Sequence, residues 1–584
     1  MTRHYGSFEE LRRDAVEAFV RTAILIDNEP WADAEAPKVE EEPKVAKSAA
    51  ARPRTGQAWA EREAEVLVKE PPVEVKRTAV MRGGHELSVR PVTNAFAKRK
   101  ITCGFYFPSD EDADVVDTAF EAAKHVDVTI LDWQLKAGDP GPAKEVVRRL
   151  LADDKEAGGR LRLIVIYTGE RGLDYQCSLL KNHLDEHGFG NFSTIDSDRA
   201  LRGQDALITF ANKPAPGAKV EHPGSAVRPI AWTDLPQFVS DQFAHLAEGL
   251  LQAFALKGIG AVRDDTHHLV SVFGSDLDGA YLAQRGGIGT PADAEDLMTA
   301  LLTSEFATSI ADRGIDRDIL GEASALALRT RKDPQKILVK KYKEELVYKD
   351  LVEAPKGQSK CITAGEETLN LLVKKGLNSA VLRLDTAELK KLKKQFFDSD
   401  AAADTALAKF ARLTSFKREA NSARRPGNKA ISLTGGVVVR KTWADADGKE
   451  AQAFLLCMQP GCDAVRLSKP TPFPFCPMKE NSQVFDLVVR IDNKEAFLLV
   501  DRRPRNLQLV AFEVDPSLGV VNSEIHNGKR VFWTEGRKEY YEFVAELRAL
   551  EAQNFTSQLV GQFNRVALNG SEWLRLSGNG EDER

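Results

Sequence analysis

The sequence predicts a multidomain protein with a doubly wound parallel α/β sheet, a helical middle region and a β-rich C-terminal domain that ends in a helix. The 584 residues are enough for roughly three to four domains. Up to about residue 214, apolar β-favouring runs alternate with helical periodicity, and beyond residue 430 β-favouring runs follow one another. We expect an α/β domain at 1–260 with a flexible insertion at 31–90, a helical and linker region at 261–430, a β-rich domain at 431–576 and a tail at 577–584.

The α/β domain begins with a predicted helix over residues 7–20, whose apolar residues recur at helical spacing. Thr22–Ile26 follows as a strand. Residues 31–80 are rich in Glu, Lys, Ala and Pro, and such a segment cannot bury enough apolar surface to fold alone. From about Val92 the alternation resumes. It predicts strands at Ile101–Phe107, Asp127–Asp132, Leu161–Tyr167 and Ala206–Phe210, and helices at Ala113–Lys124, Lys144–Leu151 and Tyr175–His187.

The remaining chain changes character twice. A long helix is expected after Thr233 and Asp234, which are good helix-starting residues, and helical periodicity continues to about residue 325. Charged helical stretches follow at Leu389–Phe397 and Thr405–Leu413. The β-rich part is predicted to hold strands at Gly436–Trp443, Ala453–Met458, Val484–Ile491, Ala496–Val500, Leu507–Val514 and Arg530–Trp533, with a final helix at Tyr540–Gln562.

Composition narrows the class of protein. A formal net charge of −6 and a pI near 6.1 argue against a protein that coats nucleic acid broadly. Six cysteines are few for this length, so we expect no disulfide scaffold and a reducing compartment. The first ten residues lack an apolar signal core, and no apolar run approaches the roughly 18 residues that a membrane span needs. We therefore expect a cytoplasmic protein without a membrane contact.

Four of the predicted strands end in polar residues that suit one kind of chemistry. Asp27, Asp132, Thr168 and Lys213 each follow an apolar run, and ligands bind at the carboxyl ends of strands in parallel α/β sheets. Asp132 is the candidate nucleophile that becomes an acyl phosphate, and Asp27 is the second carboxylate for Mg²⁺. Lys213 would place positive charge against phosphoryl oxygens, and Thr168 would bond the new group and move its loop.

This pattern resembles the receiver domain of two-component response regulators, over roughly residues 20–260. In that family an acidic cluster follows the first strand, where this chain has Asp27, Asn28, Glu29 and Pro30. Asp132 matches the phosphoacceptor, and Thr168 with Gly169 matches the switch hydroxyl and the small residue after it. Lys213 and Pro214 match the closing Lys-Pro pair, and Phe210 stands where the family has its switch aromatic. The resemblance implies a flavodoxin-like sheet, Mg²⁺ as cofactor and a histidine kinase as phosphate donor.

The chain departs from the family pattern at three places. Asn28 stands where the family usually has a second metal-binding carboxylate, which puts magnesium affinity in doubt. The interval from Asp27 to Asp132 is 105 residues and that from Thr168 to Lys213 is 45, both long for the family.

Pro214 is expected to fix the loop of Lys213, and a cis peptide bond is one way to do so. In its organisation the chain is similar to receivers of Detocs, a bacterial antiviral phosphorelay, which implies relay or effector partners and allows a homodimer.

Other readings of the chain stay open. The first alternative function is a phosphorylation-independent pseudo-receiver that serves as a scaffold, and the second is a nucleic-acid-binding output regulator; no separate catalytic domain is recognised. Cys457, Cys462 and Cys476 could supply three zinc ligands, although buried structural cysteines are favoured. His267 and His268 are conceivable phosphorelay residues, but ordinary helix positions are favoured. Basic stretches at 329–343 and 390–394 read best as solvated helix faces.

Overall fold

The computed structural model describes residues 7–28, 30–31, 87–214, 229–288, 291–329, 337–339, 362–364, 373, 397, 399–420, 430–444, 446–492 and 494–563. The chain divides into two compact units, which are described separately. Unit 1 is built mainly from Glu9–Leu151 and Leu161–Ile319, and unit 2 mainly from Leu320–Arg584.

Unit 1 is centred on a mostly parallel sheet. The described residues of this unit form the strands β1 (Thr22–Ile26), β2 (Pro30–Trp31), β3 (Leu87–Ser88), β4 (Thr102–Tyr106), β5 (Val128–Leu131), β6 (Arg162–Thr168), β7 (Ser193–Ile195), β8 (Ala200–Arg202) and β9 (Ala206–Asn212). Seven of them form one sheet in the order β4-β1-β5-β6-β9-β8-β7, whereas β2 and β3 make a separate parallel pair. The first five strands of the sheet are parallel, and β7 and β8 add an antiparallel hairpin at the edge beside β9.

Helices cover both faces of this sheet. The α-helices of the described residues up to residue 320 are α1 (Phe8–Phe19), α2 (Val89–Lys98), α3 (Val115–Lys124), α4 (Gly141–Glu156), α5 (Leu173–Glu186), α6 (Leu235–Leu246), α7 (Leu250–Val272), α8 (Asp278–Gly287), α9 (Pro291–Asp312) and α10 (Ile315–Leu320). One core cluster joins α3, α4 and α5 to alternate residues of the strands, including Ile164 and Ile166. The buried Leu163 and Val165 face the opposite side, because successive side chains of a strand alternate. The doubly wound prediction is therefore confirmed.

The predicted strands of this part agree with the observed ones to within two residues at each end. Four features were missed or misplaced. The helix α2, the pair of β2 and β3 and the hairpin of β7 and β8 were not predicted, and the long helix expected after Asp234 is two helices. Its interruption falls at Gly249, whose backbone is extended (φ −93°, ψ 147°). Residues 32–86 of the expected insertion lie outside the described residues, and the expected domain boundary at residue 260 falls within α7.

Unit 2 holds a large antiparallel sheet. Its longer helices among the described residues are α11 (Glu322–Arg329), α12 (Asp400–Ser415) and α13 (Ala549–Phe563). Its strands are β10 (Ile337–Val339), β11 (Ile362–Ala364), β12 (Phe416–Glu419), β13 (Val437–Ala444), β14 (Glu450–Cys457), β15 (Pro472–Glu480), β16 (Leu487–Ile491), β17 (Lys494–Val500), β18 (Gln508–Ala511), β19 (Glu524–His526), β20 (Lys529–Trp533) and β21 (Tyr540–Leu547). Ten of these form one sheet in the order β16-β17-β15-β14-β13-β21-β20-β19, with β12 beside β21 and β18 beside β15. This confirms the β-rich C-terminal region.

The predicted final helix over Tyr540–Gln562 is wrong in its first third. Tyr540–Leu547 is the strand β21, which pairs with β13 and β20, and the helix begins at Ala549. The reason lies in burial on two faces. Tyr541 and Phe543 enter one core cluster. Beyond a β-bulge, at which the pairing with β13 skips Val544, Ala545 and Leu547 enter another cluster that also receives Phe555 of α13. A strand can serve two cores in this way, and a helix in the same place would bury only one stripe.

Candidate functional site

Three strand ends converge at the carboxyl edge of the unit 1 sheet. Asp27 follows β1, Asp132 follows β5 and Lys213 follows β9. Backbone hydrogen bonds continue the sheet past the ends of the strands, because the N–H of Asp132 donates to the carbonyl of Ile26 at 2.8 Å. The N–H of Lys213 likewise donates to the carbonyl of Thr168 at 2.8 Å. The four side chains singled out from the sequence therefore start from rigidly paired backbone.

The side chain of Lys213 bridges the two aspartates. Its Nζ donates to Oδ2 of Asp27 at 2.6 Å and to Oδ2 of Asp132 at 2.8 Å. The side chains of Lys213 and Asp27 are 2% and 0% exposed, so the charges rely on one another rather than on water. Burial opposes the charged ammonium, but the attraction of Asp132 and Asp27 outweighs it, and the pKa of Lys213 is raised.

Asp132 is the more accessible of the two carboxylates. Its side chain is 10% exposed, whereas that of Asp27 is fully buried. Its second oxygen, Oδ1, accepts a hydrogen bond from the backbone N–H of Trp133 at 2.7 Å. Each oxygen thus has one fixed donor, which holds the carboxylate in a single orientation at the rim of the sheet.

Thr168 ends β6 beside Lys213 and is almost fully buried. Its hydroxyl accepts from the backbone N–H of Glu170 at 3.2 Å, a bond that closes the loop after the strand. Asn212 ties the same loop to β9, because its Nδ2 donates to the carbonyls of Thr168 at 3.3 Å and of Glu170 at 2.6 Å. A change in what the hydroxyl bonds would therefore act directly on this loop.

A family model for the response receiver domain matches residues 19–215 of the chain. Residues 19–215 form a response receiver domain. The match covers all four strand-end residues, Asp27, Asp132, Thr168 and Lys213, and it stops just after Lys213. Searches of curated proteins and of solved structures returned no match. A receiver domain supports a phosphoacceptor role in signalling, with a phosphodonor and downstream partners.

The remaining residues singled out from the sequence lie around the receiver site. Phe210 is buried on β9 and meets Trp133 edge to face, with ring centroids 5.6 Å apart. Asn28 is half-buried directly after Asp27. The peptide bond between Lys213 and Pro214 is trans, so Pro214 does not fix the loop through a cis bond.

Two polar residues of the receiver site were missed by sequence reasoning. Gln134 Nε2 donates to Glu170 Oε1 at 2.8 Å and so joins the loop after β5 to the loop after β6. Gln134 Oε1 in turn accepts from the N–H of Gly138 at 3.2 Å. The sequence signal that could have found them is their position, because Gln134 comes two residues after Asp132 and Glu170 comes two residues after Thr168.

The three cysteines considered as zinc ligands are not brought together. Cys457 and Cys476 point into different core clusters of unit 2, and Cys462 is exposed, so the three do not form one zinc site. Burial raises the pKa of the Cys457 thiol to about 12, as expected for a structural cysteine. His267 and His268 are exposed on α7. Of the basic stretches at 329–343 and 390–394, residues 330–336, 340–343 and 390–394 lie outside the described residues.

The carboxylate oxygens of the receiver site are ligands of the type that Mg²⁺ prefers. Mg²⁺ takes oxygen ligands and retains water, so one or two carboxylates with a bound phosphate suffice. Asp27 and Asp132 supply these oxygens within hydrogen-bonding distance of one ammonium group. Receiver domains generally bind Mg²⁺ at the phosphorylation site.

Among the helices of the described residues, none combines the length and apolar character that a membrane span requires.

Proposed function

We propose that Asp132 accepts a phosphoryl group from a histidine kinase, in a two-component-like bacterial defence relay. The observation that carries this proposal is the bridge from Lys213 to both Asp27 and Asp132. Within this bridge Asp132 is the better nucleophile, because its side chain is partly exposed and that of Asp27 is not. The contact of Lys213 with Asp132 supports Lys213 as the group that neutralises phosphoryl charge. The defence relay rests on the similarity in organisation to Detocs receivers.

The proposed transfer uses few residues. A carboxylate oxygen of Asp132 forms a P–O bond while the P–N bond to the donor histidine breaks, and the electron pair leaves with the imidazole nitrogen, which takes up a proton. Catalysis then depends mostly on positioning and on charge neutralisation. The N–H of Trp133 holds one oxygen of Asp132. Lys213 is free to follow the charge from the carboxylate to the phosphoryl oxygens, since its ammonium already donates to Oδ2.

Charge explains why the receiver site would use Mg²⁺. Two aspartates and one lysine leave the cluster with a formal charge of −1, which repels an anionic phosphodonor. Asp27 and Asp132 would hold the ion, with Asn28 offering an amide oxygen instead of a second carboxylate. The ion supplies the positive charge that offsets the anionic phosphodonor.

Thr168 would convert the transfer into a signal. Its hydroxyl oxygen accepts from the N–H of Glu170, and a phosphoryl group on Asp132 would offer the hydroxyl proton a strong acceptor. Turning the side chain toward the phosphoryl group would carry the hydroxyl oxygen away from the N–H of Glu170 and loosen the loop that leads into α5. Relay or effector proteins would read this change, and the β-rich region at 431–576 is available as an output surface.

Phosphorylation of Asp132 is tested directly. The full chain is incubated with acetyl phosphate, or with a candidate kinase, in the presence of Mg²⁺, and acid-labile phosphate on the protein is measured. We expect incorporation in the wild type, loss in Asp132→Asn, and wild-type incorporation in Asp139→Asn, which alters an exposed carboxylate in the loop after Asp132. No incorporation in the wild type would contradict the proposal and favour the pseudo-receiver scaffold. Equal biological output from wild type and Asp132→Asn would do the same.

A further inference from the structure

A cluster of potential metal ligands lies at the end of α5, away from the strand ends. His183, Glu186 and His187 project from one side of the helix, because residues three and four apart are neighbours on a helix surface. One ligand atom from each lies within 4.8 Å of the others. In the described part of the chain, these three residues are the one such group of three histidine, cysteine or acidic side chains.

The two imidazoles are prepared for coordination. His187 Nδ1 lies 2.7 Å from the backbone carbonyl of His183. A carbonyl can only accept, so Nδ1 carries the proton and the lone pair of His187 Nε2 is left for a ligand. Metal-binding histidines usually fix their second nitrogen in this way. His183 Nε2 is buried and has no hydrogen-bond partner among the described residues, an arrangement that a bound ion would satisfy.

The local charges are balanced. Glu145 of α4 lies 4.0 Å from His183 Nε2, but Arg148 holds both of its oxygens at 2.6 and 2.7 Å. Burial lowers the pKa of His183, and nearby His187 and Lys144 lower it further. Lys144 and Arg148 bring two positive charges, which Glu145 and Glu186 offset one for one.

We propose that His183, Glu186 and His187 form a Zn²⁺-binding site at the C-terminal end of α5. Two imidazoles and a carboxylate are ligands that Zn²⁺ takes readily, and two histidines four residues apart on a helix have a spacing found in zinc proteins. Tetrahedral Zn–N and Zn–O bonds of about 2.0–2.2 Å place the ligand atoms about 3.3–3.6 Å apart. The three ligand atoms lie within 4.8 Å of one another, and the exposed side chains of Glu186 and His187 can turn to close the remaining distance. Water completes the coordination.

A bound ion would act on the part of the receiver that follows the Thr168 loop. α5 begins five residues after Thr168 and packs against β8 and β9. Joining three side chains of its last turn would stiffen this helix and satisfy the orphaned nitrogen of His183. Zn²⁺ would thereby set how easily α5 moves, independently of any chemistry at Asp132.

The test is a Zn²⁺ titration of the chelator-treated full chain against a chromogenic competitor, without any phosphodonor. We expect His187→Asn to weaken binding at this site by at least about 10- to 100-fold, and His183→Asn/His187→Asn to remove one Zn²⁺ per chain. His187 is exposed, so its substitution leaves the core intact. The matched control is His267→Asn/His268→Asn, which changes two exposed histidines of α7 and should bind as the wild type does.

Two outcomes would overturn the proposal. One is a Zn²⁺ affinity and stoichiometry in His183→Asn/His187→Asn equal to those of the wild type, which would place any bound ion elsewhere, for example on the exposed Cys462. The other is an equal loss in the α7 control. Repeating the titration with Asp132→Asn separates this site from the phosphoacceptor, because the zinc affinity should not change.

Discussion

Replacing Lys213 by methionine should destabilise the receiver sheet locally and strongly. Methionine keeps most of the length and the apolar stem of lysine but removes the ammonium that bridges Asp27 and Asp132. Two carboxylates, one fully buried and one 10% exposed, then face each other without a counter-charge. Breaking a buried ion pair on one side costs about 3–5 kcal/mol. Because each 1.4 kcal/mol is about tenfold, the opening equilibrium of the sheet should rise by about 100-fold to several thousand-fold.

Hydrogen exchange read by mass spectrometry measures this effect where it occurs. Peptides that contain β5 or β9 report the local opening free energy, and this avoids treating a chain of two units as a two-state system. The matched control is Lys181→Met, which removes a lysine paired with Asp185 in a pair whose side chains are 30% and 37% exposed. An exposed pair four residues apart on a helix is worth about 0.5 kcal/mol or less, so this control should exchange nearly as the wild type does.

A second variant tests the reason for the effect as well as its size. Adding Asp27→Asn to Lys213→Met removes one of the two opposed charges, so the double variant should recover part of the lost stability. The two substitutions should therefore be strongly non-additive, as expected for residues in one network. The reasoning is refuted if Lys213→Met exchanges like Lys181→Met, or if Asp27→Asn makes Lys213→Met less stable still.

Three further predictions concern other features of the structure. Gly260→Ala should loosen α7 from α1 by about 1–3 kcal/mol, because a Cβ there would clash with the carbonyl oxygen of Ala18; hydrogen exchange of the α7 peptides checks this. The raised pKa of Lys213 means that its contribution is fully present below the ordinary lysine value of about 10.4 and is lost as the pH rises through the higher folded value. Near-ultraviolet circular dichroism should therefore show an alkaline transition that Lys213→Met lacks. In the native chain Cys462 should react with a thiol reagent, whereas the buried Cys457, whose pKa is raised to about 12, should react only after unfolding.

The receiver site could be predicted from the sequence because its signals are local. Each run of apolar, β-favouring residues stops at one polar residue, as Ile24–Ile26 stops at Asp27 and Thr129–Leu131 stops at Asp132. A parallel sheet then brings such residues to one edge without further information. What the sequence could not supply is which donor each oxygen takes, since the bridge from Lys213 spans 186 and 81 residues.

The C-terminal sheet was harder to predict because its signals conflict. Strand β15 carries Pro472, Pro474 and Pro477, and proline normally argues against a strand with neighbours on both sides. β15 nevertheless pairs with β14 on one side and with β17 and β18 on the other. In the same way, Tyr540–Leu547 runs into α13 with neither Gly nor Pro between them, so the end of the strand has no local mark. Tertiary pairing decides both cases.

The strand β5 has an aspartate at each end, and the two aspartates indicate where a signal would travel. Asp127, before the strand, accepts from the N–H groups of Arg21 and Thr22 and takes a bidentate bond from Arg263 of α7 at 2.9 and 3.0 Å. These donors do not involve the opposite edge, so a change at Asp132 leaves them in place.

We therefore expect acetyl phosphate with Mg²⁺ to alter hydrogen exchange in the Thr168 loop and α5 and to leave the α7 peptides unchanged. The hydroxyl of Thr168 can turn from the N–H of Glu170 toward a phosphoryl group. By contrast, α7 is held by the ion pair of Arg263 with Asp127, which phosphorylation does not touch. Arg263→Ala supplies the positive control, because removing the bidentate donor should raise exchange in α7 without any phosphodonor. A phosphorylation-dependent change in α7 with no change in α5 would show that the signal crosses the sheet along β5 instead of leaving through Thr168.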